Sequence, residues 1–84
     1  MMIKFGLLLK LLRKKQGVSQ NQLAEKANVA RQYISRVENS HFNCSLNVLF
    51  KYSKALDIPA WKILKLYEKR NSEDGSLREP AMGE

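Results

Sequence analysis

The chain has 84 residues, with 15 Lys or Arg and 8 Asp or Glu, so its formal net charge at pH 7 is +7. This length fits one small domain, and the basic excess favours a polyanionic partner and argues against an acidic-substrate enzyme. A single cysteine excludes an intrachain disulfide framework. No apolar run approaches the ~20 residues of a membrane-spanning helix, so we expect a cytoplasmic protein.

The charge is divided unevenly along the chain. Residues 1–70 carry 14 basic and 4 acidic side chains, a net charge of +10, whereas residues 71–84 carry 1 and 4, a net charge of −3. The second segment is also rich in polar and turn-forming residues. We therefore predict a folded domain over residues 1–70 and a flexible acidic tail over residues 71–84.

The first predicted helix covers about residues 3–15 and is followed by Gly17, a typical helix stop. Its expected core face holds Phe5, Leu9 and Leu12. This helix has more leucines than one face needs. The leucines left outside that face are Leu7, Leu8 and Leu11.

The second predicted helix begins with a capping box. Ser19 can cap the helix, and Gln22, three residues later, can bond back to the backbone of Ser19. The helix should therefore cover about residues 20–27. Asn28 fits the left-handed turn that follows, because asparagine tolerates positive φ. A third helix is predicted over about residues 31–38.

Two further helices complete the folded part. Ser45 is a suitable cap for the fourth helix, and Pro59 suits the first turn of the fifth, since its fixed φ is close to helical. No segment alternates long enough to predict a strand, so the pattern indicates an all-α fold of five helices. The apolar residues of the fifth helix fall on more than one side: Trp61, Ile63, Leu64, Leu66 and Tyr67.

The second and third predicted helices are short and are joined by a turn of about four residues. Leu23 and Ala24 lie on one helix and Ile34 and Val37 on the next, and the small side chain of Ala24 allows a close crossing. This arrangement is typical of a helix-turn-helix.

Several segments in register extend this pattern, namely Phe5-Gly6, Leu9 to Arg13, Val18-Ser19-Gln20, Leu23-Ala24, Val29-Ala30-Arg31, Ile34 to Asn39, Ser45-Leu46, Leu49 and Ala55 to Ile58. Together they resemble the lambda-repressor-like, Cro-type helix-turn-helix regulators, also called the xenobiotic-response-element family. The resemblance implies a compact five-helix lambda-repressor-like domain with the helix-turn-helix at helices two and three. Phage-type repressors and restriction-modification controller proteins look similar.

The third predicted helix supplies the candidate base-reading residues. Because Ile34 and Val37 point inward, polar side chains are left on the outer side. Arginine pairs with guanine and glutamine with adenine through two hydrogen bonds, and this motif meets base edges near the start of its second helix. An ordinary solvated helix face is the alternative. The candidates are Arg31, Gln32, Tyr33, Ser35 and Arg36.

Candidate phosphate-binding residues flank that helix. Gln20 lies at the amino end of the second predicted helix, where free N–H groups and the helix dipole favour an anion, unless it merely follows the cap. The resemblance implies that its side chain also bonds the backbone and braces the recognition helix. At the far end the candidates are Asn39, His41 and Asn43, with loop solvation as the alternative. His41 and Cys44 are too few ligands for a zinc site.

Arg13 resembles a DNA-contacting residue, and Glu38 resembles a catalytic carboxylate. In the family that the chain resembles, the matching pair forms a partly buried salt bridge between helices one and three. The resemblance therefore implies a structural role for both residues.

Surplus apolar residues on the first and fifth predicted helices have two interpretations. They either pack the two helices together or form a homodimer contact, because large exposed apolar patches mark interfaces. The candidate dimer interface consists of Trp61, Leu64, Leu66 and Tyr67.

The leading interpretation is a sequence-specific transcriptional regulator of double-stranded DNA, binding a palindromic operator as a homodimer with the third helix in the major groove. The alternative is an antitoxin-type module that binds a protein toxin as well as operator DNA. A protein partner would be that toxin or RNA polymerase. We expect no enzyme, cofactor or metal, because the acidic residues of the folded part show no clustered pattern and no nucleophile–histidine arrangement is present.

Overall fold

The structure, a computed structural model, describes residues 4–39 and 45–72, with Ser72 described by its backbone alone. Within these residues there are five helices and no strand, as the sequence predicts. The helices are Phe5–Lys15 (α1), Gln20–Ala27 (α2), Arg31–Asn39 (α3), Leu46–Leu56 (α4) and Ala60–Ser72 (α5). None of them is both long and apolar enough to cross a membrane.

The start and end of α2 follow from local chemistry. Ser19 Oγ accepts a hydrogen bond from the Gln22 N–H at 3.0 Å, and Gln22 Oε1 accepts one from the Ser19 N–H at 2.8 Å. The helix ends at Asn28, whose φ of 58° is left-handed. The predicted capping box and the predicted turn are both confirmed, and so are the bounds of this helix.

A serine side chain caps the start of α4, whereas a proline precedes the start of α5. Ser45 Oγ accepts a hydrogen bond from the Val48 N–H at 3.3 Å, which confirms the predicted cap of α4. Pro59 lies one position before α5 and not in its first turn, where we expected it. The carbonyl oxygen of Pro59 accepts hydrogen bonds from the N–H groups of Lys62 and Ile63. Proline has no backbone N–H, but a residue at this position needs none, because the helix offers no acceptor for it.

The buried side of α1 packs mainly against α3, and Phe5 at its start contacts Tyr67 of α5. Leu8 and Leu9 are 1% and 0% exposed, whereas Phe5 is only partly buried and packs edge-on against Tyr67 with ring centroids 5.0 Å apart. Leu8, which lies outside the expected core face, is therefore a core residue, in agreement with the interpretation that surplus apolar residues pack inside the domain. Of the three surplus leucines, only the other two, Leu7 and Leu11, are exposed.

The crossing of α1 and α3 is close enough to require glycine. A Cβ atom added at Gly6 would collide with the main-chain carbonyl oxygen of Val37. Because this obstacle is backbone, a larger residue at position 6 would push the two helices apart. The absence of a side chain at Gly6 thus sets the position of α3 relative to α1.

The last helix continues past the predicted end of the folded part. We expected the tail to begin at residue 71, but α5 runs to Ser72 and Asn71 is fully buried. The burial of Asn71 shows that this polar residue belongs to the folded part, which sequence polarity alone does not indicate. Two further parts of the prediction lie outside the described residues. They are the loop residues His41, Asn43 and Cys44, and residues 73–84 of the predicted tail.

Candidate nucleic-acid interface

The inner side of α3 is buried and its outer side is exposed. Ile34, Val37 and Glu38 are buried on the inner side. Arg31, Gln32 and Arg36, three of the five candidate base-reading residues, are exposed. Gln32 and Arg36 are four residues apart and therefore share one face of the helix.

The other two base-reading candidates are partly engaged within the domain. Tyr33 is partly buried and packs against the core. Ser35 is also partly buried, and its Oγ accepts a long hydrogen bond of 3.5 Å from Nδ2 of Asn39, a candidate phosphate ligand. These contacts leave Arg31, Gln32 and Arg36 as the long polar side chains that extend freely from α3.

A buried ion pair joins the end of α1 to the inner side of α3. Arg13 Nε donates to Glu38 Oε2 at 2.8 Å, and Arg13 Nη2 donates to Glu38 Oε1 at 2.9 Å. Both residues are 6% exposed. Arg13 Nη1 also donates to the carbonyl oxygen of Val18 at 2.8 Å, which links the turn before α2 to the same guanidinium. The structure places this bidentate pair where the resemblance implied a salt bridge.

Two further donors complete the surroundings of the Glu38 carboxylate. Gln20 Nε2, at the start of α2, donates to Oε1 at 3.2 Å, and the hydroxyl of Tyr52, on α4, donates to Oε2 at 2.9 Å. The candidate phosphate ligand Gln20 thus also braces α3, through Glu38. One carboxylate connects α1, α2, α3 and α4.

The network changes the acidity of both charged groups. Burial acts to raise the pKa of Glu38, but the hydrogen bonds from Arg13, Gln20 and Tyr52 outweigh it, and the pKa lies below its ordinary value. The hydrogen bond to Glu38 is the main cause that raises the pKa of Arg13. Both groups are charged at neutral pH, so α3 is held by an ion pair that remains intact there.

Sequence reasoning missed the role of Tyr52. This side chain is 1% exposed and lies 14 residues from Glu38 in the sequence. Its position on the apolar side of α4 is a usable signal, because a buried tyrosine hydroxyl usually finds a hydrogen-bond partner. The identity of that partner depends on how α4 crosses α3.

The four candidate interface residues of α5 fall into two groups. Trp61 and Leu64 are 65% and 46% exposed. Leu66 and Tyr67 are partly buried and pack against the core of their own chain. Of these four residues, only Trp61 and Leu64 present a large apolar surface to solvent.

Comparison with known proteins gives consistent matches. A family model described as helix-turn-helix matches residues 9–60. The transcriptional regulator SinR of Bacillus subtilis strain 168 is 42% identical over 74 residues, which cover 86% of this chain and 65% of SinR. The immunity repressor protein of Bacillus phage phi105 is 42% identical over 53 residues, covering 63% of this chain and 37% of the repressor. This chain therefore spans less than two thirds of these curated relatives.

Two solved structures share the fold. The restriction-modification controller protein C.AhdI from Aeromonas hydrophila has a TM-score of 0.64 and 38% identity, covering 73% of this chain and 92% of the controller. The wild-type controller protein C.Esp1396I has a TM-score of 0.73 and 26% identity, covering 82% of this chain and 90% of the controller. The matches confirm the all-α fold that the sequence predicts.

Proposed function

The chain belongs to the helix-turn-helix family of the xenobiotic-response-element type, and on this premise we propose that it is a sequence-specific transcriptional regulator. It binds a palindromic operator in double-stranded DNA as a homodimer, with α3 in the major groove. Relatives named as a transcriptional regulator and an immunity repressor support a role in regulation.

The observation that carries the proposal is the division of α3 into two faces. Arg31 and Gln32 stand in its first turn and Arg36 follows about one turn later, all exposed. Each of the two residue types can form a bidentate pair with a purine edge in the major groove. The helix that carries them is anchored through Glu38 by three neighbouring helices, so its exposed side chains are presented from a rigid base.

Phosphate contacts position the domain on DNA. Gln20 lies at the amino end of α2, where free N–H groups favour an anion, while its amide nitrogen is held by Glu38. The Gln20 amide nitrogen carries two N–H donors, and the bond to Glu38 uses one of them. We therefore propose that the other side-chain N–H and the backbone N–H groups at the start of α2 contact one phosphate. Asn39, His41 and Asn43 are proposed as contacts at the other end of α3, the last two lying outside the described residues.

Selection from a random double-stranded DNA library tests base reading. We expect an enriched inverted repeat with half-site centres about 34 Å apart. Arg31→Ala should relax the preference at one base pair in each half-site, by about 1–3 kcal/mol. Arg70→Ala is the matched control, since it removes an exposed arginine from α5 and should leave the preferred sequence unchanged. Unchanged specificity in Arg31→Ala, or DNA binding without any enriched sequence, would overturn the proposal.

The homodimer rests on a separate surface. Trp61 and Leu64 are three residues apart on α5, so they lie on one face, and both are exposed. We propose that this face contacts its counterpart on a second copy around a two-fold axis.

Sedimentation equilibrium of three samples tests the dimer. The wild-type chain should dimerise, and the double substitution Trp61→Ala with Leu64→Ala should weaken the dimer. Phe50→Ala is the control, because it removes a comparably exposed aromatic side chain from α4 and should leave the association constant unchanged. Monomers at micromolar concentration, both free and on DNA, would contradict the homodimer.

A further inference from the structure

A basic groove lies on the surface between the carboxyl end of α2 and the outer side of α4. It is open to solvent and has a volume of about 400 Å³. Three of its six lining side chains carry a positive charge, and none is acidic. The lining residues are Lys26, Ala27, Asn28, Phe50, Lys51 and Lys54.

The groove combines positive charge with an exposed aromatic ring. Phe50 is 55% exposed, and Leu46, one turn earlier on α4, is 64% exposed. Neither residue belongs to the proposed base-reading side of α3 or to the proposed dimer face of α5. An exposed ring among lysines, with an exposed leucine one helical turn away, is typical of a docking surface for an acidic segment that carries an apolar side chain.

The same chain contains a segment with complementary chemistry. Residues 73–84 hold four acidic side chains and one basic side chain, a net charge of −3, against three lysines in the groove. Leu77 stands within this segment, between Asp74 and Glu79.

The segment is long enough to reach the groove. It follows α5, which packs against α4, the helix that carries one side of the groove. Twelve extended residues span up to ~40 Å, about the longest dimension of the structure, 41 Å, and well beyond its other two dimensions, 22 and 21 Å. Covalent attachment also gives the segment an effective concentration on the order of millimolar, which favours even a weak contact.

We propose that residues 73–84 bind in the groove of their own chain. The acidic side chains of the segment pair with Lys26, Lys51 and Lys54, and Leu77 packs against Phe50. The contact is independent of the proposed DNA-binding function. Because its ion pairs are at the surface, it is strongest at low ionic strength and is weakened by salt.

Paramagnetic relaxation in the full-length chain tests this contact. A nitroxide is attached at Ser76→Cys, with Cys44→Ser so that the label is unique, and amide spectra are compared before and after the nitroxide is reduced. At low ionic strength we expect the amide peaks of Ala27, Phe50 and Lys54 to lose most of their intensity. High salt should restore them.

Another basic surface provides the control for general electrostatic attraction. Lys14 and Lys15, at the end of α1, are exposed, and their amide peaks should keep their intensity. Substituting Lys51→Glu and Lys54→Glu together should release the segment and restore the groove peaks, whereas Lys14→Glu with Lys15→Glu should not. Equal broadening of both surfaces, or no broadening in the groove, would overturn the proposal.

A mixed sample identifies which copy supplies the segment. Spin-labelled chains without nitrogen-15 are mixed with unlabelled chains that carry nitrogen-15. Groove peaks that keep their intensity in this mixture support binding within one chain. Groove peaks that broaden as much as in the singly labelled chain would show that a second copy supplies the segment, and would overturn the proposal.

Discussion

The two faces of α3 hold their charged residues in opposite surroundings. On the inner face, Glu38 is 6% exposed and receives hydrogen bonds from Arg13, Gln20 and Tyr52. On the outer face, Arg31 and Arg36 are exposed. A buried charge is tolerated only when it is paired, whereas an exposed one remains available to a partner. The inner face thus serves stability, and we propose that the outer face serves recognition.

The largest expected effect comes from breaking the inner pair. Arg13→Ala leaves the Glu38 carboxylate buried without its main partner, so we expect the free energy of unfolding to fall by about 3–5 kcal/mol. The melting temperature and the DNA affinity should both fall. Chemical denaturation followed by circular dichroism measures the first of these changes.

The outer face supplies the control for this substitution. Arg31→Ala removes the same side chain from an exposed position and should change the free energy of unfolding by no more than about 0.5 kcal/mol. If Arg13→Ala and Arg31→Ala lost equal stability, the distinction between the two faces would fail.

An intermediate effect is expected at the contact that positions the inner face. Gly6→Ala places a methyl group against the carbonyl oxygen of Val37, and overpacking of this kind costs about 1–3 kcal/mol. Thermal and chemical unfolding both measure the loss. Gly17→Asn is the comparison, because nothing lies within 4 Å of the added Cβ; its cost comes from the positive φ of 72°, which asparagine tolerates better than most side chains, so the loss should be smaller than in Gly6→Ala.

Helix propensity alone predicts the opposite sign at position 6, since alanine is favoured over glycine in a helix by up to about 1 kcal/mol. A Gly6→Ala chain more stable than the wild type would therefore show that α1 and α3 do not cross as closely as described.

The smallest expected effect is the pH dependence that Glu38 gives to the free energy of unfolding. Its pKa in the folded chain lies below the ordinary value, so between the two pKa values the unfolded chain binds more protons. The stability that this residue contributes is therefore present above its unfolded pKa and is lost as the pH falls through its folded pKa.

Unfolding free energies of the wild type and of Glu38→Gln, measured from neutral to acidic pH, isolate this contribution. The difference between the two proteins should be constant near neutral pH and should shrink in acid. A difference that stays constant through the acidic range would show that the pKa of Glu38 is not lowered by folding.

Residues that act within one helical turn were predictable from the sequence. The reciprocal bonds of Ser19 and Gln22, the left-handed Asn28 and the cap at Ser45 each involve atoms no more than a few residues apart. Their chemistry is the same in any fold that contains these helices, which is why the bounds of α2 were predicted correctly.

The network around Glu38 was only partly predictable. The resemblance to a known family implied its pairing with Arg13, and it also implied that Gln20 braces the recognition helix. It did not indicate that the Gln20 amide donates to Glu38, or that Tyr52 does so from α4. Those contacts exist because three helices cross at one point, and helical periodicity carries no information about crossing points.

Short-range chemistry and composition were enough to predict five helices, the caps of α2 and α4, the basic charge and the helix-turn-helix pattern. Which apolar side chains are buried depended instead on how the helices pack. Leu8 and Leu7 are adjacent leucines of one helix, yet Leu8 is in the core and Leu7 is exposed, since α3 and α5 cover only part of α1. Packing also left Phe50 in a groove lined by lysines. Burial depends on surfaces supplied by distant parts of the chain, so it is decided only when the helices come together.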